Sequence, residues 1–514
     1  MTCCLLAVAR DEDNFIDEWI NYHLNLGFDH IYICDNNAVD KQLIIDNQKV
    51  TIYDVRGEDF SKNNYGKPYS IQVHIYNEHL SKIDTSYDYC AICDIDEFFD
   101  FKGLNLKEFI QKEIIDKGYT LAEIPWQIYT DNGLIHHIDK PILDLYIEEC
   151  HTMPFQWCKN ECSWGKSIFK LNKGIKYHIH WPNPESMPNF NSNHVTHEIA
   201  VVKHYRTKCL EDYLNHKVKN QCFASAPASQ GNIIKTYFDF NEVTYDKILY
   251  ILKFCKNNDY IITDIDREFI LKSLDKIKPL TIVIRTHNRI NELVNCVGSL
   301  YKQTYTPNIL ILDDNSNDET FRYVSNLKNV SYFKSNQNVG PGGIITYGKH
   351  LIQTPYYIIL DDDDYYKDNN FVEAFYNIFI DNPDYDMYDS NYRLHWGSIV
   401  KTQKLLECPV LSAWAKDDWY FDWIKNNSVH CPQIINNRFY KYIYLNVEGK
   451  AHLVDETNIS FVIKNFYNEE KYDEILIYID NMYHLCNEKE RKVFDEAKKY
   501  IIKNKLNTIS TPQK

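Results

Sequence analysis

Apolar runs and polar turns follow one another in the same order at two places in the chain. In the first half, an apolar segment at 2–8 leads into a polar turn, and apolar positions then recur at helical spacing over 15–26. A second apolar segment, 30–34, ends in acidic and amide residues. The pattern predicts strand, helix and strand, with Gly27 ending the helix.

The second half begins in the same way. An apolar strand is predicted over 280–284, a polar turn over 285–289, a helix over 291–301 and a strand over 308–312 that ends in an acidic tip. Crossovers of this kind build parallel sheets, and ligands bind beyond the carboxyl ends of their strands. The sequence therefore predicts an α/β protein with two Rossmann-like, mostly parallel sheets in tandem.

Each half also places a dense acidic segment directly after an apolar strand, CDIDE in the first and LDDDD in the second. Side chains two apart in an extended segment face the same way. Two carboxylates on one side can bind Mg²⁺ or Mn²⁺ and leave coordination positions open for phosphate oxygens. An isolated pair is more typical of a solvated turn, so the interpretation depends on its recurrence in the same setting. The pairs are Asp94 with Asp96, and Asp361 with Asp363.

Composition narrows the range of functions. The 514 residues suit about two or three domains, and a net charge of −16 gives no support for nucleic-acid binding. No apolar run approaches the ~20 residues of a membrane span, and no leader is expected at the amino terminus. The fifteen cysteines are scattered, and the group Cys150, His151, Cys158 and Cys162 matches no common zinc spacing. We therefore expect free thiols in a cytoplasmic protein.

The second half resembles family 2 glycosyltransferases of the GT-A fold, through TIVIRTHNRINEL, LILDDNSNDET, NVGPGG, YIILDDDD and AWAKDDWYFDW. The resemblance implies that the Asp361–Asp363 pair holds the metal. It also implies a nucleotide-sugar site containing Thr286, Asn288, Arg289, Asp313 and Asp314. Asp417 or Asp418 would be the catalytic base that takes the proton of the acceptor hydroxyl.

The first half resembles family 92-like glycosyltransferases over residues 1–220, through LLAVARDEDNFIDEW, CDIDEFFDF, WGKSIFK and VKHYRTKCLEDYLNHKVK. The resemblance implies a metal site formed by Asp94, Asp96 and His204, with His180 as a weaker candidate. The implied nucleotide-sugar residues are Arg10, Glu12, Asp35 and Lys166. Its catalytic base stays open among Glu123, Asp131 and Glu161.

The expected organisation follows from these two resemblances. A family 92-like GT-A domain is predicted over 1–238 and a family 2 GT-A domain over 279–465. A helical linker, 239–278, joins them, and a helical tail is predicted over 466–514.

The resemblance implies a bifunctional, inverting, metal-dependent transferase. Its donors would be nucleotide-diphospho-sugars, with a UDP-sugar expected, and its acceptor a glycan or lipid-linked glycan of a capsule or lipopolysaccharide. A lipid-linked acceptor would bring the protein to the inner membrane face as a peripheral protein. The alternatives are a polymerase that alternates two sugars, or one active domain with a glycan-binding partner domain. A lectin-like protein would have no need of the paired aspartates. A nucleotidyltransferase also uses such a pair, but it would normally have a Gly-rich activation loop with Lys or Arg after the first strand, and neither VARDEDN nor VIRTHNR is one.

Overall fold

The structure is a computed structural model. It describes residues 1–57, 71–83, 86–150, 165–178, 180–219, 232–366, 368–388, 398–408, 424–431, 440–441 and 495. The predicted catalytic pair Asp417–Asp418 and, apart from residue 495, the predicted tail 466–514 lie outside these residues. So do Glu161 and the segment from His151 to Cys162.

The chain divides into two compact units, residues 1–273 and 274–514. The strands of the first unit are β1 (Cys3–Ala9), β2 (His30–Asp35), β3 (Val50–Asp54), β4 (Tyr89–Ile92), β5 (Glu97–Asp100), β6 (Leu121–Ile128), β7 (Gly165–Lys170), β8 (Ser192–His194) and β9 (Val201–His204). They form one sheet in the order β3-β2-β1-β4-β7-β6-β9-β5, with β8 beside β6.

The helices of this part of the chain are α1 (Ile16–Leu26), α2 (Ile71–Leu80), α3 (Leu106–Ile110), α4 (Ile142–Leu145), α5 (Leu210–Leu214), α6 (Ile233–Phe238), α7 (Tyr245–Asn257) and α8 (Asp264–Ile277). The unit boundary at 273 falls within α8. The predicted linker is thus largely helical, and α7 is tied to the first unit by the buried ion pair of Lys247 with Asp131, at 2.6 Å.

The strands of the second unit are β10 (Leu280–Thr286), β11 (Asn308–Asp313), β12 (Val330–Lys334), β13 (Tyr356–Asp361), β14 (Tyr365–Tyr366), β15 (Met387–Tyr388), β16 (Ile399–Lys401) and β17 (Tyr440–Lys441). Its helices are α9 (Ile290–Leu300), α10 (Thr320–Val324), α11 (Gly340–Gly348), α12 (Phe371–Asp381) and α13 (Thr402–Glu407). The main sheet has the order β12-β11-β10-β13-β16-β15, and β14 pairs with β17.

The central strands of the two units share one pairing pattern. In the first unit β1 lies between β2 and β4, all parallel, and Ala9 stands opposite Asp35. In the second unit β10 lies between β11 and β13, again all parallel, and Thr286 stands opposite Asp313. An antiparallel strand follows in each case, β7 beside β4 and β16 beside β13. These sheets confirm the predicted α/β fold.

Apolar residues on both faces of the central strands explain why helices cover each side. Leu5 belongs to a core with Trp19 of α1, whereas its neighbour Leu6 belongs to a second core with Tyr76 of α2. Parallel strands buried on both faces read as continuous apolar runs, which is the pattern of CCLLAVA in β1. The polar residues that follow each run are thereby placed at the carboxyl edge of the sheet.

Candidate active site

The turn after β4 carries the first acidic pair, and a buried cation lies against it. The carboxylate of Asp94 accepts hydrogen bonds from Lys166 Nζ at 2.9 Å, from the Tyr76 hydroxyl at 2.6 Å and from the Gln72 side chain at 2.5 Å. The Lys166 side chain is fully buried on β7. Burial alone would lower the pKa of Lys166, but Asp94 and Glu97 outweigh that effect and raise it. Lys166 is therefore a fixed positive charge at this edge.

Glu97, the first residue of β5, is a buried carboxylate beneath this turn. Its Oε1 accepts the indole N–H of Trp126 at 2.7 Å, and its Oε2 accepts the Asp94 amide at 3.0 Å. Lys166 Nζ lies 3.4 Å from Oε2. Burial raises the pKa of Glu97 to about 7, although Lys166 opposes the shift. The group therefore titrates near neutral pH.

The second carboxylate of the pair faces a histidine. Asp96 Oδ2 lies 3.6 Å from Nε2 of His204, the residue that ends β9 opposite Glu97. Burial raises the pKa of Asp96, but His204 and then Lys208 outweigh it, and the net pKa is lowered. Nδ1 of His204 is buried and makes no hydrogen bond to the described residues. The structure thus brings Asp96 and His204 together.

Trp126 lies between two histidines of the same region. Its ring stands edge-on to His180 at 5.0 Å and tilted to His204 at 4.7 Å, measured between ring centroids. His180 is buried, and its Nδ1 lies 3.1 Å from the Gly165 carbonyl oxygen. Burial lowers the pKa of His180 to about 4, and Lys166 adds to the effect. His180 is therefore a neutral imidazole held beside the site.

The loop after β1 contributes Glu12 and Arg10. Glu12 pairs with Lys208 at 3.1 Å, and His216 Nε2 lies 3.9 Å from its other oxygen. Burial raises the pKa of Glu12 against the opposing effect of Lys208. Arg10 is half-buried and has no ion pair or hydrogen bond with any residue in the described part of the chain. Of these two predicted donor-binding residues, Arg10 is the one whose side chain is uncommitted.

Asp35 ends β2 and is fully buried. Its carboxylate accepts the backbone amides of Asn37 at 3.1 Å and Leu43 at 2.8 Å, and Arg56 Nε lies 3.6 Å away. Each of these contacts shapes the loop after β2. Asp35, which was predicted to bind the nucleotide, therefore stabilises the loop after β2.

In the second unit two arginines neutralise the acidic cluster. Arg285 donates to Asp361 Oδ1 from Nη2 at 2.7 Å and from Nε at 3.2 Å. Arg289 Nη1 lies 2.9 Å from Asp363 and 3.2 Å from Asp362. Burial raises the pKa of Asp362 to about 7 against the effect of Arg289. Both carboxylates of the predicted metal pair thus have guanidinium partners.

Asp313 and Asp314, at the end of β11, accept hydrogen bonds from neighbouring loops. Asp314 accepts the amides of Val339 at 2.7 Å and Gly340 at 2.8 Å, where α11 begins. Asp313 accepts the Ser316 amide at 2.7 Å and the Tyr332 hydroxyl at 2.5 Å. Both aspartates hold the edge of the sheet together in this state.

The two other predicted donor-binding residues of this unit follow β10. Thr286 is buried at the last position of the strand, opposite Asp313. Asn288 adopts a left-handed backbone with φ of 55°, a conformation that asparagine tolerates better than most residues. Its side-chain oxygen accepts the Asn317 amide at 2.6 Å. The first loop and the loop after β11 are therefore joined at the sheet edge.

The residues suit a divalent ion better in the first unit than in the second. Neighbouring ligands of an octahedral ion with bonds of about 2.1 Å lie roughly 3 Å apart. The 3.6 Å separation of Asp96 Oδ2 and His204 Nε2 is close to that value, whereas Asp94 is paired with Lys166 at 2.9 Å. An ion at Asp361 and Asp363 would have to displace the arginines.

Several residues of these clusters were not among the predicted site residues. Arg285 and Trp126 lie within strands and contact the acidic residues directly. Arg285 stands opposite Asp361 because β10 pairs in parallel with β13, and the local sequence pattern does not give this register. Among the open candidates for the base of the first unit, Asp131 is buried in the ion pair with Lys247 and is poorly placed to take a proton from an acceptor.

Comparison with known proteins agrees with this geometry. Residues 281–427 match the model of glycosyl transferase family 2, and residues 1–244 match that of glycosyltransferase family 92. A family 92 protein of Ricinus communis is 24% identical over 133 residues, which are 24% of this chain and 21% of that protein. The chain thus spans about a fifth of the length of the curated relative that it matches.

Two solved structures show weaker overall similarity. Residues 1–349 of S. aureus TarS align with a TM-score of 0.27 at 18% identity, over 44% of this chain and 88% of that chain. The mannosyltransferase PcManGT from Pyrobaculum calidifontis, in complex with GDP-Man and Mn²⁺, aligns with a TM-score of 0.30 at 11% identity, over 37% and 64%. At these TM-scores the assignment depends on the family models and the sheet topology.

Two sheets of mostly parallel strands with acidic carboxyl edges therefore lie in regions that are similar to glycosyltransferases. More particularly, the chain joins a family 92-like region at its start to a family 2 region further on. Both resemblances predicted from the sequence motifs are confirmed.

Proposed function

We propose that the protein is a bifunctional glycosyltransferase that transfers two sugars in succession from nucleotide-diphospho-sugars to a growing surface glycan. One observation carries the proposal. In each unit a carboxylate lies at the carboxyl end of the strand beside the central strand, with Asp94 two residues past β4 and Asp361 at the last position of β13. A relic that only binds glycans has no need to keep this arrangement twice.

The reaction would be a direct displacement at the anomeric carbon. The acceptor oxygen forms a bond to that carbon, the bond to the diphosphate oxygen breaks, and the nucleoside diphosphate leaves with the electron pair. Asp417 or Asp418 would take the acceptor proton in the second unit. Attack from the face opposite the leaving group inverts the anomeric centre. Arg10, which makes no ion pair with the described residues of the chain, would bind a donor phosphate in the first unit.

A divalent ion, Mn²⁺ or Mg²⁺, would be held by Asp94, Asp96 and His204 in the first unit. When bound, such an ion stabilises the negative charge that develops on the diphosphate. Lys166 balances Asp94 and Glu97 from beneath, so this chain's own residues keep the turn charged and in place. In the second unit, Asp361 and Asp363 would take the same role once the arginines turn toward a donor phosphate.

The donors would include a UDP-sugar, and the acceptor would be a glycan or lipid-linked glycan of a capsule or lipopolysaccharide. Within the described residues, no helix has both the length and the apolar character needed to cross a bilayer. We propose a cytoplasmic protein that reaches the inner membrane face only through its acceptor.

A second candidate is favoured by the arginine pairs. Because Arg285 and Arg289 already neutralise Asp361 and Asp363, the second unit would bind a glycan and the first unit alone would transfer a sugar. This candidate predicts a single donor for the whole chain.

The test is hydrolysis and transfer with a panel of nucleotide sugars, with Mn²⁺ or with chelator. The full chain is compared with Asp94→Asn/Asp96→Asn and with Asp361→Asn/Asp363→Asn. The matched control replaces two exposed aspartates of the first unit, Asp40→Asn and Asp46→Asn. Circular dichroism verifies folding.

Bifunctionality predicts activity with two donors. Each double variant should lose activity with a different donor, and the control should keep activity with both. The single-domain candidate predicts one donor that is lost only in the Asp94/Asp96 variant. Full activity in both double variants would contradict the assignment of these carboxylates, and activity in chelator would contradict the role of the metal.

A further inference from the structure

A second cluster of metal-ligand side chains lies away from the acidic turn, where residues 134–137 meet the start of α5. His137, Cys209 and Asp212 offer three ligand atoms that all lie within 4.8 Å of one another. His137 Nδ1 is 3.0 Å from Asp212 Oδ2, and Cys209 Sγ is 3.1 Å from the same oxygen. One imidazole, one thiol and one carboxylate thus converge on one point.

Backbone contacts hold the two segments together independently of these side chains. The amide of Leu210 donates to the Leu134 carbonyl at 3.2 Å, and that of Glu211 donates to the Ile135 carbonyl at 2.9 Å. The His137 amide donates to the Glu211 carboxylate at 3.0 Å. The three ligand atoms are therefore brought together before any ion arrives.

We propose that His137, Cys209 and Asp212 form a zinc-type site, separate from the acidic pairs of the donor sites. Bonds of about 2.0–2.3 Å in a tetrahedral site put neighbouring ligand atoms roughly 3.3–3.6 Å apart. The observed 3.0 and 3.1 Å separations from Asp212 Oδ2 need to open by a few tenths of an ångström, and the third separation, between Cys209 Sγ and the His137 ring nitrogen, lies within 4.8 Å. The His137 side chain is 33% exposed, which leaves room for water as the fourth ligand.

The ligand types indicate which ions are suitable. A thiolate with an imidazole selects zinc or a similar transition ion, whereas Mg²⁺ prefers oxygen ligands. The Cys209 thiol is buried. It would release its proton to solvent as the metal–sulfur bond forms. No oxidation or reduction takes place in this step.

The position of the site suggests what the ion does. Cys209 directly follows Lys208, whose ammonium group pairs with Glu12 of the loop after β1. Lys208 has a left-handed backbone with φ of 49°, which is strained for a residue with a side chain. An ion on Cys209 and Asp212 would hold the chain at this turn and fix Lys208 against the loop.

Hydrogen bonding alone is the competing explanation. Cys209 is the N-cap of α5, because its sulfur accepts the Asp212 amide at 3.4 Å, and Asp212 pairs with His137. In that case the cluster closes the helix end and binds no ion with appreciable affinity. The two explanations differ in whether a metal–thiolate bond forms.

The experiment is a titration of the chelator-treated full chain with Co²⁺ alone. Binding is monitored through the near-ultraviolet charge-transfer absorption of a cobalt–thiolate bond. This band reports sulfur ligation and is blind to cobalt bound only by carboxylates. The chains compared are the wild type, Cys209→Ser, the buried control Cys255→Ser and Asp94→Asn/Asp96→Asn. Zn²⁺ added afterwards should displace cobalt and abolish the band.

We expect a band that saturates at one cobalt per chain, is lost in Cys209→Ser and is kept in both other variants. Loss of an outer-shell partner already lowers metal affinity by about 10- to 100-fold, so His137→Gln should weaken cobalt binding at least as much. This variant serves if Cys209→Ser does not fold. The proposal is overturned if the wild type gives no band, if the band survives Cys209→Ser, or if His137→Gln binds cobalt as the wild type does.

Discussion

Replacement of Lys166 by methionine tests the charge balance beneath the first acidic turn. Methionine keeps most of the side-chain volume and removes the ammonium group. Lys166 is fully buried, 2.9 Å from Asp94 and 3.4 Å from Glu97, so its loss leaves two carboxylates without their shared partner. Removal of one partner of a buried ion pair costs about 3–5 kcal/mol.

The structure places the cost at the lower end of that range. The Asp94 side chain is 27% exposed and can regain water, whereas Glu97 is fully buried but can take up a proton. We therefore expect a loss of about 3 kcal/mol in the free energy of unfolding, or roughly 6–12 °C in Tm for a unit of this size. Without Lys166 the pKa of Glu97 rises further. The loss should thus be larger at pH 8 than at pH 6, where the carboxyl is protonated.

Thermal unfolding of the full chain, followed by circular dichroism at both pH values, measures the effect. Lys203→Met is the matched control, because Lys203 lies 3.1 Å from Asp100 and both side chains are about a quarter exposed. A partly exposed pair is better solvated than a buried one, so this variant should lose clearly less stability than Lys166→Met. Equal losses in Lys166→Met and Lys203→Met, or a loss that does not depend on pH, would refute the reasoning.

Two further predictions concern stability. The folded chain keeps the proton of Glu97 up to a pH of about 7, whereas the unfolded chain releases it near the ordinary pKa, so this group's contribution to stability falls as the pH rises between those values. Glu97→Gln should therefore gain Tm relative to the wild type from about pH 5 to pH 8, and the exposed control Glu198→Gln should not. A Cβ on Gly165 would lie 1.9 Å from the Ile124 carbonyl oxygen, so Gly165→Ala should lower the free energy of unfolding by about 1–3 kcal/mol or more. A Cβ on Gly298, in α9, would meet open space, so Gly298→Ala should raise the free energy of unfolding by up to about 1 kcal/mol. Thermal melts measure both effects. Equal effects of the two alanines would contradict the steric argument.

The parallel strands could be predicted because their patterns are unambiguous. The segment predicted over 2–8 is observed as Cys3–Ala9, and that over 308–312 as Asn308–Asp313. Both are continuous apolar runs bounded by polar turns, and the crossover helices between them show helical spacing. The antiparallel strands were beyond such reasoning. GKSIFK of β7 is short and of mixed polarity, and it owes its place to pairing with β4 and β6.

The acidic residues at the sheet edges could be located, but their partners could not. Asp94 contacts Lys166 across 72 positions of sequence, and Asp361 contacts Arg285 across 76. Such pairs follow from strand register, which local patterns do not give. Asp35, by contrast, accepts the amides of its own loop, because buried N–H groups near a strand end need acceptors. Acidic residues at such an edge can therefore stabilise the neighbouring loop as well as bind a ligand.

In each unit a cation from a neighbouring strand neutralises the acidic residue at the carboxyl end of β4 or β13, but the cation comes from a different neighbour in the two units. This difference bears on whether the units share a donor. Asp94 is neutralised by Lys166 from the antiparallel strand β7, whereas Asp361 is neutralised by Arg285 from the parallel strand β10. Ala9 stands opposite Asp35 as Thr286 stands opposite Asp313, so the residue of β1 that corresponds to Arg285 is Val8, which carries no charge. Because the cation lies on opposite sides of the carboxylate in the two units, the charge around the position where a diphosphate would lie is distributed differently. Under the proposed bifunctional activity, we therefore expect the two units to bind different donors.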